Sequence, residues 1–461
     1  MSESTAPKKL KIMAHACDGV GHLNAVCGML ESLQKRGHQI IVLSSEGFKG
    51  KFVKYGFEEI LLTETPKEWG GKAGEAPAAA AGGGGPPVNP IKRMAMHLKS
   101  SGMLSPKTPL EKLKGEDNSG AFLKSIFDQV VQFNPQIAEH IKTLKPDLFI
   151  IDHFMVPPAL PQSGVPWVFL FSGNPLSLYK SDKLPPFGGG YATTADPATW
   201  AEFKKLQEEK FLTKFAKAQT DINAVFNYSP PEGEEVGMMA KPKFMSIWGY
   251  PAELDYFDLV PIPEKFVRVD AYCREIAEPF ELPAEFAKRP GRLIYVSLGS
   301  MGSVDVDLIQ RITNVLGKTE HKYIVSKGPL GEEYELPANC WGENFLPQTR
   351  IIPMCDLVIT HGGNNTITET FSMGKPMIVM PLFADQFDNA QRVTEKGYGI
   401  RMEPYTFEEK ELIDNLNKLL NDKEMIARCQ AAAKRIANSN SKEIVCQKLE
   451  ELVEKFKSGQ L

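Results

Sequence analysis

Short apolar runs alternate with polar, glycine-bearing loops and amphipathic stretches at both ends of this chain. Leu10–Ala14 (LKIMA) predicts a strand, His15 to His22 a polar turn, Leu23–Lys35 an amphipathic helix stopped by Gly37, and Gln39–Ser44 the next strand. Pro146–Asp152 (PDLFIID) is a buried-strand pattern that closes on an aspartate. The theme returns with Leu293–Leu298 (LIYVSL), followed by Gly299-Ser300-Met301-Gly302-Ser303 and a helical stretch, and with a strand at Tyr323–Ser326. Asp356–Thr360 (DLVIT) predicts one more strand, then the loop HGGNNT and a helix ending near Met373, with Gly374 and Pro376 as its stop. Strand, loop, helix, strand is the pattern of parallel sheets wound with helices. It puts the polar loops at the carboxyl ends of the strands, where such folds bind ligands. The expected class is α/β, with doubly wound parallel sheets.

The division between them falls near 270–290, where EPFELPAEFAKRPGR is rich in proline and charge. This predicts an N-terminal domain over 1–275, a C-terminal domain over 276–441 and a closing amphipathic helix over about 442–461. Residues 70–90, rich in Ala, Gly and Pro, read as a mobile surface loop, because they offer little side chain to bury. Met94, Met96, Met103 and the helical stretch Phe122–Val131 form either the wall of an adaptable apolar pocket or plain core.

Composition narrows the function. A chain of 461 residues, 42% hydrophobic, suffices for two packed domains. A net charge of −4 without a basic stripe argues against a nucleic-acid partner. Seven cysteines without paired spacing make no disulfide or zinc framework and suggest a reducing compartment. The start lacks an apolar signal core and the last helix is charged, so a cytoplasmic protein without membrane contact is expected.

The chemistry concentrates in Phe345–Gln386. Unpaired N–H groups at a helix start, with Gly362 and Gly363 permitting close backbone approach, favour a phosphate, and His361, Asn365 and Thr366 add donors. The same residues also suit an ordinary strand-to-helix turn. Asp305-Val306-Asp307 matches a metal-holding Asp-x-Asp, but in the first turn of a helix two acids are explained by the helix dipole.

The flanks resolve the loop. The stretch FLPQ, then HGGNNTITE, then DQ, resembles the donor signature of inverting UDP-glycosyltransferases of the GT-B kind, which implies two Rossmann-like doubly wound domains facing a central cleft. The resemblance implies that Phe345 stacks on uracil beside Leu346 and Gln348 reads the base edge. It gives the diphosphate to His361, Gly363, Asn364, Asn365 and Thr366, with Gly21 and Ser300 also at the phosphates and Ser326 near the base. Glu369 takes the ribose hydroxyls, and Asp385 and Gln386 the sugar. Phe345 and Asn364 stand where plant members usually carry Trp. By the same resemblance His22 is the general base, oriented by Asp152; His15 and His153 match no catalytic position. Loops over Asn174–Thr194 would line the acceptor site.

The expected function is transfer of a hexose, glucose first and galactose or glucuronic acid as alternatives, from a UDP-sugar to a hydroxyl. The acceptor would be a small lipophilic molecule of the phenol, flavonoid, terpenoid or xenobiotic class, consistent with detoxification by conjugation. No bound cofactor and no metal are expected, and the protein is expected to be a monomer. A nucleotide-sugar epimerase of the same fold and a non-catalytic sequestering protein are the alternatives.

Overall fold

A computed structural model describes residues 9–63, 96–115, 119–275 and 279–461. The predicted loop at 70–90, Met94 and the centre of the predicted domain boundary lie outside the described residues.

Among the described residues, two parallel sheets carry the fold. The first contains β1 (Lys11–Ala16), β2 (Gln39–Ser45), β3 (Glu58–Leu62), β4 (Leu148–Asp152), β5 (Trp167–Phe171), β6 (Ser246–Gly249) and β7 (Phe266–Val269). The second contains β8 (Leu293–Ser297), β9 (Lys322–Ser326), β10 (Cys340–Glu343), β11 (Leu357–Thr360), β12 (Met377–Val379) and β13 (Gly399–Arg401). The spatial orders are β3-β2-β1-β4-β5-β6-β7 and β10-β9-β8-β11-β12-β13. Both sheets therefore reverse their winding beside the first strand, between β1 and β4 and between β8 and β11. Loops diverge there and leave a crevice. The central strands are apolar on both faces because helices cover both: every residue of LFIID, WVFLF and LIYVS is buried.

Six helices matter for the site: α1 (Val20–Lys35), α2 (Ser119–Leu144), α3 (Thr213–Val225), α4 (Asn364–Ser372), α5 (Gln386–Glu395) and α6 (Ser441–Lys457). On one face of the first sheet Leu23, Val26, Leu30 and Leu33 of α1 share a core with Val445, Leu449 and Val453 of α6. The last helix thus packs on the first sheet, and Glu450 ties it to the end of α1 by accepting from Arg36 at 2.6 Å and His38 at 2.8 Å. The opposite face packs Phe133, Ile137 and Ile141 of α2 against Met13, Phe149 and Ile151.

Gly28 marks the tightest approach in this junction. A Cβ added there would sit 1.9 Å from the carbonyl oxygen of Tyr272, in the segment leading from β7 to the second sheet. Lys442 of α6 donates to the carbonyls of both Gly28 and Cys273, at 3.0 and 2.9 Å. Gly28→Ala is expected to push α1 off this segment at a cost of about 3 kcal/mol. Differential scanning calorimetry should show a melting temperature lowered by several degrees; an unchanged one contradicts the packing.

Two expectations change here. His15 belongs to β1, not to a turn, and is 2% exposed with its Nδ1 3.0 Å from the Leu43 carbonyl. The strand runs on because a half-polar residue is tolerated once a neighbouring backbone oxygen satisfies it. The 174–194 stretch, expected to line the acceptor site, is fastened to α5 at several points. The Asp388 carboxylate of α5, 3% exposed, accepts from the backbone N–H of Gly188 at 2.5 Å and Gly190 at 3.0 Å, and Glu395 accepts from Thr193 N–H at 2.7 Å. This loop has little regular structure of its own, so its polar backbone is satisfied by the facing helix. Met96 and Met103 are exposed rather than pocket-lining, while Leu98 and Leu104 beside them are buried.

Candidate active site

The two winding reversals face each other. β1 and β4 pair so that Ala16 lies opposite Asp152, and α1 begins four residues beyond β1. His22, in the first turn of α1, comes to the end of β4, where its Nδ1 is 3.0 Å from Asp152 Oδ2. The imidazole side chain is 25% exposed and the carboxylate 3%. Burial opposes protonation of His22, yet the charge and hydrogen bond of Asp152, with the charge of Asp385, raise its pKa above the usual 6.5. The Asp152 carboxylate accepts, so the ring proton sits on Nδ1 and Nε2 is left with a lone pair.

The rival histidines are placed differently. His153 has its pKa pushed down to about 3, first by burial and then by His15. Both are buried, and their rings stack at 5.7 Å.

Across the crevice, β11 ends at Thr360, paired with Ser297 of β8. His361 is wedged between two glycines: a Cβ at Gly299 would lie 2.6 Å from its ring, and one at Gly363 2.5 Å. Gly299 also has φ +72°, which a side chain would resist. Burial lowers the pKa of His361 to about 4, so the ring is neutral and offers one N–H rather than a charge. Asn365 reaches the other domain, donating from Nδ2 to the Gly21 carbonyl at 2.7 Å. The first turns of α1 and α4 therefore meet at this contact. Ser300 is exposed on the short turn after β8, and Ser326 closes β9 beside it.

Gln348, Thr366 and Glu369 form one cluster, with Gln348 Nε2 2.6 Å from Glu369 Oε2 and 3.3 Å from Thr366 Oγ1. Phe345 is 66% exposed, while Leu346 packs against the core of the second sheet. Glu369 is 2% exposed; burial raises its pKa, and Arg274 and Gln348 oppose that. An open cavity of about 540 Å³, lined by Glu31, Lys35, Lys54, Arg274, Arg350 and Met373, borders this cluster at Arg274, which pairs with Glu369.

The Asp-Gln pair is held by a residue of positive φ, Ala384 at +52°. Asp385 Oδ2 accepts from the backbone N–H of Asn174 at 2.9 Å. Gln386 Oε1 accepts from the N–H groups of Leu382 and Phe383, so of this side chain only the amide nitrogen is left for a ligand. Asn364 departs furthest from its expected place. It is 6% exposed, and its Nδ2 donates to the carbonyls of Ser172 at 2.9 Å and Gly249 at 3.2 Å, both in the first domain. A short amide can span the domain gap where a large aromatic ring would instead face the crevice.

Three groups escaped the sequence reading. Ser172 sits just past β5 with Oγ 3.0 Å from His22 Nδ1; the signal was the run WVFLF ending in Ser-Gly-Asn, the same strand-end logic. Arg274 lies 3.5 Å from Glu369, and nothing local in the sequence pairs them. Phe154 packs edge-on to His22 at 5.3 Å, and behind it stand Phe122 at 5.4 Å and Phe215 at 6.3 Å, the latter against Phe211 at 4.4 Å. Phe211 is carried by a π-helical turn, Glu208–Leu212, a local widening found most often near functional sites.

Asp305 and Asp307 both pair with Lys99 at 3.3 Å, and Asp305 also accepts from the Tyr405 hydroxyl at 2.9 Å. They stand as a structural ion pair at a helix start.

Two facing Rossmann-like domains with a dyad on one side and a glycine loop on the other define a GT-B glycosyltransferase fold. The comparisons agree. Residues 272–430 match the family model described as UDP-glucoronosyl and UDP-glucosyl transferase. The chain is 26% identical over 299 residues to human UDP-glucuronosyltransferase 1A6, covering 59% of this chain and 54% of that one. It is 22% identical over 457 residues to NDP-glycosyltransferase YjiC of Bacillus subtilis (strain 168), covering 97% and 98%. The solved structure of the glycotransferase of kitacinnamycin superposes with a TM-score of 0.65 at 18% identity, covering 97% of this chain and 99% of that one. The second half of this chain is thus similar to UDP-glycosyltransferases, and the whole chain shares their fold. Among the described residues no helix is long and apolar enough to cross a membrane.

Proposed function

We propose that this protein transfers a hexose, glucose first, from a UDP-sugar to a hydroxyl of a small lipophilic acceptor, with inversion at the anomeric carbon. The observation that carries this reading is the His22–Asp152 pair at one winding reversal, facing the loop of His361 and Asn365 at the other. An acceptor hydroxyl must lose its proton as its oxygen attacks. His22 Nε2 is the lone pair on offer, and Asp152 stabilises the imidazolium that forms. The leaving diphosphate is received by the first turn of α4 with N–H donors, and by the neutral His361 as a further donor. Phe345 supplies the stacking face for the base, Glu369 the acceptor for ribose hydroxyls, and Asp385 with the Gln386 amide the contacts to the sugar.

The rings of Phe154, Phe122, Phe215 and Phe211, running outward from His22, support a flat apolar acceptor, because such surfaces stack edge and face on phenyl groups. The loop over Asn174–Thr194 reaches the same wall, with the Phe187 ring 5.8 Å from that of Phe211, so acceptor selection falls to both. The domains divide near residue 275 in this reading, and each half supplies one substrate.

The decisive experiment incubates the purified protein with UDP-glucose, UDP-galactose and UDP-glucuronic acid against a mixed panel of phenols and alcohols, read by mass. A β-linked conjugate from an α-linked donor is expected, with glucose preferred. A new sugar nucleotide formed from donor alone would instead identify an epimerase. Binding without turnover would identify a sequestering protein.

Within this reading, Glu369→Ala is expected to weaken UDP binding by about tenfold to a hundredfold, the worth of hydrogen bonds to a charged group. Titration calorimetry checks this, with acceptor affinity expected to change little. Equal loss of both would return Glu369 to a structural role.

A further inference from the structure

The proton on His22 Nδ1 has two acceptors, not one. Asp152 Oδ2 and Ser172 Oγ each lie 3.0 Å from that nitrogen, from the ends of the adjacent strands β4 and β5. The backbone carbonyl of the same serine accepts from Asn364 Nδ2, at 2.9 Å, and Asn364 is the first residue of α4 in the other domain. One residue therefore touches the catalytic imidazole through its side chain and the donor loop through its backbone. Resting on the transferase reading above, we propose that Ser172 is a second positioning residue for His22, and that Asn364 makes its placement depend on closure of the two domains.

The physical argument concerns rotation. A single carboxylate oxygen restrains the imidazole along one direction, and the ring can still turn about that bond. A second acceptor at the same distance, fixed on a different strand, holds the ring plane and so the direction of the Nε2 lone pair. Small errors in that direction are costly, because proton transfer needs the acceptor hydroxyl in line. The serine hydroxyl cannot replace the carboxylate, since it carries no charge, but a neutral acceptor stabilises the imidazolium more than the imidazole. Asn364 Nδ2 also bonds the Gly249 carbonyl at 3.2 Å, so opening the domains breaks both contacts together and frees the segment that carries Ser172.

The test uses Ser172→Ala, Ser172→Thr, Asn364→Ala and the double variant Ser172→Ala/Asn364→Ala. Ser172→Ala is expected to lower kcat about tenfold, with the KM for UDP-sugar unchanged and the acid limb of the pH–rate profile moved to lower pH. Ser172→Thr, which keeps the hydroxyl, should restore most of the rate and the limb. Asn364→Ala should also lower kcat, and the double variant should lose no more than the worse single one, because both act on the same ring. A kcat and pH profile unmoved in Ser172→Ala overturns the proposal. A raised donor KM in Asn364→Ala, or losses that multiply in the double variant, overturns the link between domains. The titration of the His22 ring, followed by NMR of histidine-labelled protein, reads the same contact without turnover. A shift in Ser172→Ala alongside a wild type inactive on every donor and acceptor would therefore reject the transferase reading while leaving the hydrogen bond in place.

Discussion

His22→Ala should reduce transfer by about 10²- to 10⁴-fold while UDP still binds with nearly wild-type affinity. The separation follows from the architecture. His22 hangs from the first sheet, whereas His361, Thr366, Gln348, Glu369 and Phe345 all belong to the second, so deleting the imidazole removes no donor contact among them. The backbone carbonyl of Gly21, which receives Asn365, survives the change. Alanine is also a good helix former, and the imidazole is partly exposed, so the first turn of α1 should hold. Initial rates with the best acceptor, calorimetry with UDP and a thermal melt read the three quantities. Turnover near wild type would remove His22 from the chemistry, and a loss of UDP affinity equal to the loss of rate would make it a donor ligand.

Asp152→Asn is expected to cost about 10²-fold or more in kcat and to move the acid limb of the pH–rate profile downward. Asparagine keeps the shape but not the charge, and its amide can turn either an oxygen or an N–H group toward Nδ1. In the second orientation the imidazole must adopt the other tautomer, which puts its proton on Nε2 and blocks the base. In either orientation the imidazolium loses the main influence that raises its pKa. The sign has two faces. His22 must be neutral to act, so wild-type activity rises with pH through a value above 6.5 and fades below it. Stability runs the other way: the extra attraction between His22 and Asp152 is fully present below the ordinary imidazole pKa and is lost as pH rises through the raised one. The variant should therefore show a lower acid limb together with a smaller gain in stability on acidification. An unchanged rate would leave Asp152 a structural end to β4.

Much of the site was legible because its residues lie at strand ends. PDLFIID, LIYVSL and DLVIT announce buried parallel strands by composition, and whatever follows a parallel strand is delivered to one edge of its sheet. That rule brings His22, Asp152 and His361 to the sheet edges, while the roles expected of them came from the family resemblance. The missed residues act by reaching across. Ser172 follows a strand as plainly as Asp152 does, but its meaning comes from its distance to His22. Arg274 meets Glu369 across 95 positions of sequence, and Asn364 meets Ser172 across 192. The anchoring of the 174–194 loop on α5 was equally hidden, since glycines and prolines announce irregular backbone without saying which surface satisfies it.

The sequence by itself determined the class of fold, the two glycine-bearing loops and the residue types available to them, because burial and period are local properties of the chain. The tertiary structure alone decided which side chains are free to work. His22 keeps its Nε2 because Asp152 and Ser172 hold Nδ1, and Gln386 keeps only its amide nitrogen because the backbone beside it takes its oxygen. Asn364 is drawn away to the opposite domain. A hydrogen-bonding group has a limited number of partners, and only the packed chain shows which of them are already taken.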